Sequence, residues 1–96
     1  MRMESLAGAP DALEGLAAAW RQQGESERAL QFCALAQAIR SRTGSACASY
    51  NEAWVASLRS EIQAQVGVLR WETSHATFAL LTIPQLRASV SELALR

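Results

Sequence analysis

Apolar residues recur at helical spacing through most of this chain, and the signals that start and stop helices divide the pattern into segments. Leu13, Leu16, Ala17 and Trp20 fall at i, i+3, i+4 and i+7, the spacing of one helical face. Pro10-Asp11 with Glu14 three residues on reads as an acidic capping box that starts this helix, and Gly24 terminates it, giving helix one over about 11–23. One glycine before the next apolar run predicts an antiparallel partner. Helix two is predicted from about Glu25 to Arg42. Its inner stripe is Ala29, Phe32, Cys33, Ala36 and Ile39, widened by Leu30, Leu35 and Ala38. A stripe that wide has to be covered on two sides.

The small-residue stretch from Thr43 to Ala48 reads as a connection, after which Ser49 and Glu52 form the clearest capping box of the chain. Helix three follows, with Trp54, Leu58, Ile62, Val66 and Leu69 as its apolar stripe through about Arg70. Gly67 costs about 1 kcal/mol of helix propensity relative to Ala, so the helix is predicted to bend there rather than break. Trp71 to Leu81 is ambiguous, because Thr73, Ser74 and Thr77 oppose a helix while Ala76, Phe78, Ala79, Leu80 and Leu81 demand burial; a short helix is predicted. Thr82-Ile83-Pro84-Gln85 then supplies a Thr N-cap, a proline in the first turn and Gln at N3, with Leu81 placed to staple onto Leu86. The last helix presents Ile83, Leu86, Val90 and Leu93. No alternating strand pattern is found. The predicted fold is all-α, a bundle of four to five helices in one domain over 1–96: a flexible start over 1–10, a helical hairpin over 11–43, and C-terminal helices over 49–96.

Composition narrows the functional classes. Alanine at 19 of 96 positions favours helix throughout. Nine Arg balance eight Glu and one Asp, so there is no basic excess to bind nucleic acid or an anionic bilayer by charge alone. The complete absence of Lys reads as codon bias and carries no function. The longest apolar runs, Val66–Leu69 and Ala76–Leu81, fall far short of the roughly 20 residues a membrane span requires. Met1-Arg2-Met3 lacks the apolar core of a signal peptide, so a cytoplasmic location is expected.

Little of the chain points to chemistry. One His and two Cys, with no CxxC or HxxxH pair, give no metal site, and no phosphate-binding glycine motif is present, so no cofactor is predicted. Cys33 sits inside an apolar stripe where a thiol is core filler. Cys47 lies in the connection and His75 near a helix start, which leaves an enzyme using that pair as a third and weakest reading. Among the tryptophans, Trp20 and Trp54 fall on inward faces as core anchors, whereas Trp71, if exposed, would mark a contact surface.

Leu13, Leu16, Ala17, Trp20, Gly24, Ala29, Leu30, Cys33 and Ala36 fall where a tetratricopeptide repeat places its large, small, aromatic and turn-glycine residues, with Ser41 standing where the repeat's closing Pro is expected. The longer string LEGLAAAWRQQGESERALQFCALAQAIRSRTGS, followed by WVASLRSEI and TIPQLRASVSELAL, resembles the C-terminal tail of large bacterial signal-transduction ATPase regulators of the LuxR, MalT and AfsR kind. The resemblance covers Leu13 to Leu95 and departs from the family over Val68–Leu81, where a longer segment carries Thr73, Ser74 and His75. It implies a tetratricopeptide-like helical module without enzymatic activity, acting in signalling or transcriptional control through a protein partner. A chain this short leaves a marginal core, so a homodimer is also expected, with helix two or Trp71–Leu81 supplying the interface. Trp54, Trp71, Phe78, Leu80 and Leu81 are the candidate contact residues. The alternative is a sensor in which Trp54, Trp71 and Phe78 line a pocket for an apolar ligand.

Overall fold

Five helices account for nearly all of residues 9–44 and 49–94, which the computed structural model describes: α1 (Ala9–Gln22), α2 (Ser26–Thr43), α3 (Ser49–Val66), α4 (Val68–Ala79) and α5 (Ile83–Ala94). No strand occurs among the described residues. The all-α expectation therefore holds, and so does the start of the third helix at Ser49. Ala9 and Pro10, expected within the flexible start, belong to α1, and Pro10 is fully buried; residues 1–8 lie outside the described residues.

Helix α1 ends in a Schellman turn. The Glu25 N–H donates to the Trp20 carbonyl at 2.9 Å and the Gly24 N–H to the Arg21 carbonyl at 3.0 Å. Gly24 occupies the left-handed conformation at φ 82°, which is why a glycine is needed there. The chain then doubles back. Near the turn the Arg28 guanidinium lies 4.6 Å from the centre of the Trp20 ring, and at the far end Arg40 meets Asp11 and Glu14. Ala17, Ala29 and Ala36 have no exposed surface, so the two helices approach without large side chains between them.

Asp11 and Glu14 do not form the expected capping box, because the helix begins before them. Glu14 is instead buried in the α1–α2 contact and takes a two-pronged contact from Arg40, with Nη2 2.6 Å from Oε1 and Nε 3.3 Å from Oε2. Asp11 accepts a further hydrogen bond from Arg40 Nη2 at 3.0 Å. The face that α1 buries is accordingly Pro10, Leu13, Glu14 and Ala17, and Leu16, expected inside, is 41 % exposed.

α2 is the central helix and packs against α1, α3, α4 and α5, which covers its wide apolar stripe on more than one side as expected. Leu30, Cys33, Leu35, Ala36 and Ile39 are all fully enclosed. The helix closes at Gly44, in the left-handed region at φ 74°, whose N–H donates to the Arg40 carbonyl at 2.9 Å.

α3 and α4 are separated at Gly67, where the sequence pattern predicts a bend. Gly67 ends one helix and starts the next: its N–H donates to the Gln63 carbonyl at 2.8 Å, and its own carbonyl accepts from the Trp71 N–H at 3.0 Å. Its φ of 92° and ψ of 153° lie in a region that side chains with a Cβ rarely enter, so the helix breaks where only glycine can stand. The break resets the helical phase. The face α3 buries is Val55, Leu58 and Ile62, with Val66 half-buried against the core, whereas Leu69 belongs to α4 and points outward. Trp54, expected to be an inward anchor, is 40 % exposed.

The start of α5 forms as the sequence indicates. The Thr82 N–H donates to Gln85 Oε1 at 2.8 Å, and the Gln85 N–H donates to Thr82 Oγ1 at 3.3 Å, a reciprocal capping box. Leu86 and Leu93 are buried, and Ile83, Val90 and Leu81 pack against the same core.

Candidate functional site

α4 is amphipathic in an unusual sense, since both of its faces are poor in charge. The inner face follows from the spacing Trp71, Ser74, His75 and Phe78, of which Trp71 and Ser74 are buried and the other two half-buried. Trp71 stacks on His75 with ring centres 4.3 Å apart, and the Arg59 guanidinium of α3 lies 4.8 Å from the centre of the Trp71 ring. The Arg59 Nη2 is 3.1 Å from His75 Nε2, while His75 Nδ1 is 2.9 Å from the Trp71 carbonyl.

These contacts assign the tautomer. A guanidinium only donates, so Nε2 must accept and Nδ1 carries the proton that bonds the carbonyl. His75 is therefore held neutral: burial pushes its pKa below the ordinary 6.5 and the Arg59 charge acts the same way, against the bond to the Trp71 carbonyl. Two polar links fasten the helix further. Arg70 grips Glu27 of α2 with Nε 3.0 and 3.1 Å from the two carboxylate oxygens, which lowers the Glu27 pKa, and Arg42 Nη2 donates to the Ala79 carbonyl at 3.1 Å.

The outer face is Leu69, Thr73 and Ala76, continued in phase by Leu80 at the C-cap, whose backbone is still right-handed helical; these stand at i, i+4, i+7 and i+11 and are all exposed to solvent. Leu69 is 80 % exposed and Leu80 81 %, far beyond the other exposed apolar side chains. The hydroxyls along this side are already satisfied, Thr73 Oγ1 by the Leu69 carbonyl at 2.8 Å and Thr77 Oγ1 by the Thr73 carbonyl at 2.9 Å. Turned back on the helix in this way, they leave no unpaired hydroxyl donor to be desolvated.

The structure divides the candidate contact residues. Leu80 lies at the surface and Trp54 is partly exposed there, whereas Phe78 and Leu81 are half-buried against the core. Trp71 is only 9 % exposed, so the condition attached to it, exposure, is not met. Leu69 is not among the candidates, because its spacing from Ile62 and Val66 places it on the inner stripe of one long helix. The sequence does carry the signal: beyond Gly67, Leu69 is in helical phase with Thr73, Ala76 and Leu80.

Catalytic and ligand readings gain no geometry. Cys33 is enclosed, and burial pushes its thiol up to about 12, out of reach of nucleophilic use at neutral pH. Cys47 lies outside the described residues. Among the described residues no cavity opens between the helices, no group of His, Cys, Asp and Glu could hold a metal ion, and no helix is long and apolar enough to cross a membrane. The pocket that an apolar-ligand sensor needs is thus not found in the described part. No protein-family model, curated protein or solved structure matches this chain.

Proposed function

We propose that this protein is a non-enzymatic helical module that works by contact with another protein, through the outer face of α4. One observation carries the reading: two leucines four-fifths exposed at the ends of a helical face whose hydroxyls are already bonded internally. Water gains on release from such a face, and nothing polar is stranded by covering it. The α1–α2 unit is the tetratricopeptide-like hairpin of the module. The Schellman turn at Gly24 and the enclosed small residues Ala17, Ala29 and Ala36 support that assignment, and the sequence resemblance to regulator tails supports a setting in bacterial signalling or transcriptional control.

The test separates a contact face from a folding element. An environment-sensitive apolar dye such as anilinonaphthalene sulfonate is titrated into dilute wild-type protein and into a Leu69→Ser/Leu80→Ser variant. Dye binding is expected to fall in the variant, with unfolding free energy within about 0.5 kcal/mol of wild type, as for exposed positions. Unchanged dye binding, or a stability loss above about 2 kcal/mol of the size seen for core positions, contradicts the reading.

A further inference from the structure

We infer that the partner of this face is a second copy of the same chain, with the two α4 helices packed antiparallel about a two-fold axis between Thr73 and Ala76. The inference rests on the proposed contact role of α4 and adds the partner and the register.

A symmetric pair requires a surface that complements itself, each residue meeting its mirror position on the other copy. The outer face of α4 has that property, since it reads large, small, small, large in either direction: Leu69, Thr73, Ala76, Leu80. In the antiparallel register Leu69 meets Leu80 of the other copy at both ends, while Thr73 meets Ala76 in the middle, where the small side chains let the helices approach. The same spacing is the d–a–d–a seam of paired helices. The flanking charges do not conflict. On one flank of the seam Glu72 comes beside Ala79 of the other copy and on the other flank Arg70 comes beside Thr77, so no like charges meet directly, and Arg70 is already paired with Glu27.

Polarity decides between the two directions. α4 has no acidic residue in its first turn and no basic residue in its last, and Gly67 gives it no side-chain cap. Its terminal partial charges are thus uncompensated by its own side chains, leaving Arg42 of α2 at the last turn. An antiparallel neighbour sets an oppositely polarised end beside each terminus, whereas a parallel neighbour sets like ends together. A seam three turns long buries less than the roughly 1,200 Å² of standard interfaces, so the association is of the weak class that forms at high micromolar concentration or when tethering raises the effective concentration.

The experiment uses charge pairs at the two leucines, which are exposed enough that folding does not depend on them; circular dichroism verifies this for each variant. Leu69→Lys and Leu80→Glu are made singly and together, and mass is followed by sedimentation equilibrium from about 10 μM to about 1 mM, the range of weak complexes. Each single variant is expected to weaken self-association by about tenfold or more, because a charge then replaces one of the two large apolar contacts that the seam makes. An equimolar mixture of the two singles, and the double variant, are both expected to regain association, because the antiparallel register places residue 69 of one copy against residue 80 of the other. A wild-type chain that stays monomeric to the top of the range overturns the inference while leaving the contact face to be judged by dye binding. A dimer that the singles do not weaken overturns it by placing the interface elsewhere, and one that the singles abolish without rescue in the mixture overturns the antiparallel register.

Discussion

Removing the Arg40 guanidinium while keeping Glu14 isolates the polar contact inside the α1–α2 hairpin. The Glu14 side chain is 3 % exposed and that of Arg40 10 %, so Arg40→Met leaves a carboxylate enclosed between two helices with its cation gone. Asp11, at the rim, cannot substitute, since it carries the same charge. Stripping one partner from a buried pair costs about 3–5 kcal/mol, whereas replacing both by apolar groups is often neutral or stabilising. For a chain of 96 residues the whole folding free energy is of the order of 5–14 kcal/mol, so the single substitution should remove a large fraction of it. With about 4–8 °C lost per kcal/mol at this size, Arg40→Met should lower Tm by at least about 12 °C. Urea titration and thermal melts followed by far-ultraviolet circular dichroism read the change, and Glu14→Leu/Arg40→Met completes the comparison. The double variant is expected to recover most of the stability that Arg40→Met loses. A loss below about 1 kcal/mol for the single, the level of an exposed ion pair, would refute the reasoning, as would a double variant no more stable than the single.

Gly67→Ala should destabilise the fold by about 1–3 kcal/mol through backbone strain alone, because φ is 92° there and nothing lies within 4 Å of an added Cβ; denaturant titration that finds no loss would contradict it. In a Cys47→Ser background, Cys33 should resist Ellman's reagent at pH 8 in the folded state and react on addition of urea, since its thiol is pushed up to about 12; rapid labelling of the native protein would count against its burial. Because the folded-state pKa of His75 is depressed, the unfolded chain binds more protons as pH falls below 6.5, so that part of the stability is complete above this value and is lost as pH drops towards the lowered folded value. His75→Gln should flatten the corresponding slope in unfolding free energy against pH, and an unchanged slope would exclude His75 as its source.

What was legible in the sequence, and what was not, follows from how local each determinant is. The turn at Gly24 and the capping box of Thr82 and Gln85 depend on a few adjacent residues, and both form as read. The long apolar stripe of α2 likewise fixes its place at the centre, because so many enclosed residues need neighbours on several sides. Asp11 and Glu14 are ambiguous in the sequence because a carboxylate near a helix start serves equally as a cap or as an ion-pair partner, and Arg40, which decides the matter, lies 26 residues from Glu14. The outer face of α4 was hidden by periodicity itself. Leu69 fits the stripe that includes Ile62 and Val66 if the helix continues, and the stripe with Thr73, Ala76 and Leu80 if it restarts. Only the backbone at Gly67 separates the two, and that single phase change also moves Trp71 inward.

Sedimentation equilibrium of the wild-type chain over a concentration series tests the central claim, contact through α4 between copies, most directly. The account predicts an average mass that rises from the monomer value of 10.4 kDa towards twice that value as concentration approaches about 1 mM, with a Leu69→Ser/Leu80→Ser variant staying monomeric. A wild-type mass that holds at the monomer value throughout, or a variant that associates as well as wild type, would contradict it.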